Sequence, residues 1–122
     1  MESADLSQHT SRRFNEDMER VTTRVLQMGG FVEQQLQRAV NALVDGNSAL
    51  GEEVARDDYK VNQMEVEIDE ECGRIIATRQ PTASDLRVIV AAMNLVNDME
   101  RMADHATGIA KTVLRMGDEP LL

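Results

Sequence analysis

Arg79-Gln80-Pro81-Thr82-Ala83-Ser84-Asp85 is the stretch whose reading decides the fold. The residue before a proline avoids the α region, so a helix arriving at Arg79 must stop by Gln80. Thr82 followed three residues later by Asp85 is a capping box with Asp in place of Glu, so a new helix starts at once. Two long helices joined by so short a break must fold back on each other as antiparallel neighbours.

Working outward, the helix after the break runs over about 82–116 before Gly117 stops it, with Pro120 beyond. The helix before it reaches back from about 78 to 48. Val54, Val61, Ile68 and Ile75 form its heptad core stripe, supported by Leu50, Met64 and Cys72, and Glu52 and Glu53 stand where the helix dipole favours negative charge. Asp45-Gly46-Asn47 is a second stop and restart, since Gly suits a left-handed C′ position and Asn47 or Ser48 an N-cap. Ahead of it, Phe14, Met18, Val21, Val25, Met28, Val32, Leu36 or Ala39, and Leu43 recur at threes and fours, which predicts a first helix over about 8–45 starting between Ser7 and Ser11. Gly29-Gly30 falls inside it and is expected to be a close-packing point. The chain, 1–122, is therefore expected to be a single all-α domain, an elongated antiparallel up-down-up three-helix bundle, with helices of about 45 to 50 Å.

The third helix carries two apolar rows. Val88, Leu95, Met99, Met102, Ala106, Ile109 and Val113 run uninterrupted and are expected to face the core. Leu86, Val90 and Met93 then form an outward patch that wants cover, either from a second copy in a homodimer or from another bundle.

Composition agrees with helices. Aromatics are 2 % of the chain, against eight Met and two Pro, whereas strands favour aromatic and β-branched residues. A net charge of −9 disfavours nucleic acid and anionic membranes as direct ligands and favours cations or basic protein surfaces. The lone Cys72 cannot form an internal disulfide, the start of the chain lacks the basic and apolar regions of a secretory signal, and no apolar run approaches the roughly 20 residues of a membrane span. A cytoplasmic location is the expectation. There is no Gly-rich phosphate loop and no Ser/His/Asp or Cys/His nucleophile arrangement, so no catalytic apparatus is expected.

The patch of the third helix continues into acids. Asn97, Glu100 and Asp104 are three and four residues apart and share one helix face. On the second helix Asp58, Asn62, Glu65 and Asp69 are spaced four, three and four. Asp104 and Glu100 lie 24 and 20 residues after Gln80, Asp58 and Asn62 lie 22 and 18 before it, and both sets therefore stand roughly 30 Å from the turn. Glu65 matches Asn97 one turn nearer. Facing acid rows repel unless a cation lies between them, and an all-oxygen donor set selects a divalent or ferric ion such as Mg, Mn, Fe or Ca. Solvated acids on exposed faces would leave the same pattern. A ferritin-like di-iron site needs Glu-x-x-His, and Ala103, not His, stands three after Glu100. His105 points about 100° away from Asp104.

Taken together, Phe14-Asn15, Met28-Gly29-Gly30 with Val32-Glu33, Val61-Asn62 with Met64-Glu65, Ile68-Asp69-Glu70 with Cys72, Arg79-Gln80-Pro81-Thr82-Ala83-Ser84-Asp85-Leu86-Arg87, and Glu100-Arg101-x-x-Asp104 resemble the first half of the PhoU family. The resemblance implies a fold of two similar three-helix bundles, of which this chain offers one. It implies negative regulation of the phosphate-starvation response in the cytoplasm, with the ATPase and membrane subunits of the phosphate transporter and a sensor histidine kinase as partners. It also implies metal binding through Glu/Asp-x-x-x-Asp segments, here Glu65 to Asp69 and Glu100 to Asp104. Met102-Ala103 departs from the family's frequent Ile-Gly at positions that are not ligands. A non-enzymatic signalling adaptor is the expected function; the alternatives are a metal-storage or oxygen-handling protein and a ligand-free oligomerisation bundle.

Overall fold

The computed structural model describes residues 2–121, with side chains from Arg12 onward. It contains α1 (Glu2–Asp45), α2 (Ser48–Asp57), α3 (Tyr59–Arg79) and α4 (Ala83–Met116), and no strand among the described residues. α2 and α3 are one rod with an interruption at Asp58, so three antiparallel rods form the bundle. α1 starts at Glu2, before the expected Ser7–Ser11 window. Its first side chains lie outside the described residues.

The turns form for the reasons the sequence states. Gly46 takes φ +65°, and the Asn47 side chain accepts from the Leu50 N–H at 3.1 Å to cap α2. Gln80 takes the left-handed cap of α3, and the Thr82–Asp85 capping box is complete: the Asp85 N–H donates to Thr82 Oγ1 at 3.2 Å and the Thr82 N–H to Asp85 Oδ2 at 3.3 Å. Beyond α4 the chain folds back over the first turn. Asp118 Oδ1 accepts from Ser48 N at 3.1 Å and Oγ at 2.6 Å, and a Cβ on Gly46 would lie 2.5 Å from the Glu119 and Pro120 backbone.

Val54, Val61, Ile68, Cys72 and Ile75 are buried as expected, together with Phe14, Val21, Val25, Met28 and Val32 of α1. Gly29 is a close approach, 3.3 Å from Met99 Sδ for an added Cβ, while Gly30 has open space. On α4 the core row is corrected. Val88, Leu95 and Met102 are exposed, and the buried row is Ile89, Val96, Ala103 and Ala110, flanked by Met99, Ala106 and Val113. α4 packs into the angle between the other rods, and the alanines let the backbones approach. Weighing residues by apolar bulk favours Leu95 and Met102, but close approach selects the smaller side chains.

One interruption was not legible. Gln35 is 1 % exposed, and its Nε2 donates to the Val54 carbonyl at 2.9 Å. In a continuous helix that carbonyl would accept from Asp58, so the inserted amide competes with the ladder and the rod breaks there. A second buried polar residue ties α1 to α3 near the Pro81 turn. Asp17 accepts from Arg74 Nη2 at 3.0 Å, from Arg79 Nε at 2.8 Å and from Arg20. Burial would push its carboxyl up, but the hydrogen bonds from Arg79 and Arg74 outweigh that and hold it below the usual range.

Candidate metal site on the α3–α4 seam

Glu65 and Asp69 belong to α3 and Glu100 and Asp104 to α4; the count from Gln80 sets Glu65 level with Asn97, and Glu65 instead approaches Glu100, one turn further along that face. The Glu65 and Glu100 carboxyls lie close enough to interact, so Glu65 holds its proton more tightly than an isolated carboxyl. That contact, then burial, then the charges of Glu100, Asp69 and Asp104 push Glu65 up to about 7. Both carboxyls are half-buried, whereas Asp69 and Asp104 are exposed at the rim. The centre is thus an acid pair with two further carboxylates close enough to be felt electrostatically. Among the described residues no three His, Cys, Asp or Glu side chains stand together tightly enough to hold a metal as placed. A third ligand would require Asp69 or Asp104 to turn inward.

The remaining candidates divide. Asn62 and Asn97 are exposed, and Asp58 is half-buried at the interruption of the rod. His105 is exposed, and Cys72 is fully buried with its thiol pushed up by that burial, so it is a core residue and not a nucleophile. Leu86 and Val90 are exposed as the docking row requires, but Met93 is corrected: it is partly buried against the bundle's own core. Sequence reasoning passed over Asp17 and Gln35. The available signal was a polar residue on the buried stripe, between Phe14 and Val21 and between Val32 and Ala39.

The sequence profile of the PhoU domain matches residues 25–113, which include all four carboxylates of the seam. The chain belongs to the PhoU family. It is 46 % identical over 114 residues to the phosphate-specific transport system accessory protein PhoU homolog of Pseudomonas aeruginosa, covering 93 % of this chain and 47 % of that protein. It is 49 % identical over 114 residues to the phosphate-specific transport system accessory protein PhoU of Serratia marcescens, again 93 % of this chain and 47 % of that one. The crystal structure of PhoU from Pseudomonas aeruginosa superposes with a TM-score of 0.81 at 48 % identity, over 84 % of this chain and 49 % of the other. This PhoU chain therefore spans about half the length of the curated relatives it matches, and the matched crystal structure agrees with its all-helical bundle. No helix among the described residues of this PhoU chain is long and apolar enough to cross a membrane.

Proposed function

We propose that this chain is a non-enzymatic cytoplasmic regulator of phosphate uptake, joining the phosphate transporter to a sensor histidine kinase and restraining the phosphate-starvation response. The observation that carries the reading is membership of the PhoU family with relatives named as accessory proteins of phosphate-specific transport. The test is expression in a regulator-null strain carrying a starvation-responsive reporter. The reading expects the reporter to fall in phosphate-replete medium; full induction would defeat it for this chain.

The same reading includes a divalent or ferric ion at Glu65, Asp69, Glu100 and Asp104. Support comes from chemistry: two carboxyls that hinder each other's ionisation when alone would each be free to ionise beside a cation, and the oxygen donors suit Mg, Mn or Fe. A bound cation would neutralise the seam; the chain's own residues supply its orientation through α3 and α4. Replacing Glu100 by Gln and Asp104 by Asn keeps shape and removes charge. Metal content by elemental analysis should fall to background in that double variant, and unchanged content would exclude these residues as principal ligands.

The third component is self-association through α4. Leu86 at 40 % and Val90 at 45 % exposure leave apolar side chains in water on one face of α4. A second copy would cover them, with burial worth roughly 1.5–3 kcal/mol for each side chain fully covered.

A further inference from the structure

We infer that the bundle consists of two blocks meeting at a polar layer formed by Gln35 and Thr107, beside the interruption at Asp58, and that the block containing α2 opens as a unit while the other stays closed.

The hydrophobic core is in two pieces. The larger runs from Phe14 and Ile75 up to Val61, Met99 and Ala103. The smaller contains Ala39, Val54, Ala106 and Ala110, with Leu36, Ala55 and Ile109 against it. Between them stand the two features that disturb an otherwise regular bundle: the buried Gln35 amide on the Val54 carbonyl, and the interruption at Asp58, whose carbonyl is reached by the Val61 N–H at 3.1 Å.

Thr107 completes the layer. It is 9 % exposed, and its Oγ1 is the one buried side-chain polar atom without a partner among the described residues. The hydroxyls of Thr23, Thr78 and Thr112 each donate to the carbonyl four residues back, at 3.0, 2.7 and 3.1 Å. Thr107 forgoes that bond. Its level follows from two contacts: Gly29 lies against Met99, so the parallel α1 and α4 bring Gln35 opposite the turn that contains Ala106, and Gly51 lies against Ala110 and Val113, so Val54 stands beside Thr107 and Ala110.

Physically the layer is a weak seam. A buried hydroxyl without a partner opposes closure, and the smaller cluster, three alanines and Val54 with Leu36, Ala55 and Ile109 only partly buried against it, gains less from burial than the larger one. On the outside, Arg38 ties α1 to α2 beside the layer: it donates to Gln35 Oε1 at 3.0 Å and Glu53 Oε2 at 3.0 Å, and pairs with Asp57 at 3.6 Å. These bonds keep the layer in register when closed.

Native-state hydrogen exchange on the full chain tests the inference without needing a variant. The Val54 and Ala55 amides should exchange through a shared opening about tenfold or more faster than those of Ile68, Ile75 and Val96. Thr107→Val, which removes the hydroxyl and keeps the shape, should slow the first group several-fold and leave the second unchanged. Equal rates for the two groups in the unaltered protein would overturn the inference, as would a Thr107→Val protein whose α2 amides exchange as fast as before.

Discussion

Asp17 and Glu65 are carboxylates of one bundle with opposite electrostatic surroundings. Asp17 meets guanidinium groups and is held below its ordinary value; Glu65 meets another carboxyl and is pushed from 4.5 up to about 7. Their contributions to stability have opposite signs in pH. The Asp17 contribution is complete above its ordinary value and is lost as pH falls through its lower folded value. The Glu65 contribution is complete below pH 4.5 and is lost as pH rises towards 7. In chelator-treated protein the melting temperature should therefore fall between pH 5 and pH 8, and Glu65→Gln should remove most of that slope. A flat profile for the unaltered protein, measured by differential scanning fluorimetry, would show that the two carboxyls do not interact.

At the scale of the element, glycines separate packing from conformation. Gly30 is helical with nothing within 4 Å of an added Cβ, so Gly30→Ala should stabilise the protein by about 1 kcal/mol. Gly46 has φ +65° and backbone at 2.5 Å, so Gly46→Ala should destabilise it by more than that gain, displacing residues 119 and 120. Urea denaturation distinguishes the two, and equal midpoints would contradict this view of the first turn. The turns were legible because each depends on local chemistry: Gly46, Asn47, Thr82, Asp85 and Gly117 act on their own neighbours. The α4 face was less so. Ile89, Val96, Ala103 and Ala110 are buried by the rods around them, and residue hydropathy ranks Ala below the Leu95 and Met102 that face solvent. The break at Asp58 was illegible for a related reason, since its cause is a glutamine 19 positions away from Val54.

For the molecule as a whole, the count from Gln80 set Glu65 level with Asn97, and the structure sets Glu65 against Glu100, one turn further along the same face of α4. The half-buried state of the acid pair, and the inward turn of Met93, depend on rotation about the helix axes, which spacing alone specifies only to within a neighbouring row. The exposed row tests assembly: Val90→Glu should convert a dimer to monomer in analytical ultracentrifugation with the helical signal unchanged, since Val90 is 45 % exposed in one copy. An unaltered protein that sediments as a monomer would remove the dimer. The Asp118–Ser48 contact joins positions 70 apart and returns the chain to the turn after α1. A fluorophore pair placed at Asn47 and Leu121 would then behave as a short, stiff ruler. A fluorescent reporter attached at Leu121 would leave from beside that turn, with its swing confined to one end of the rods.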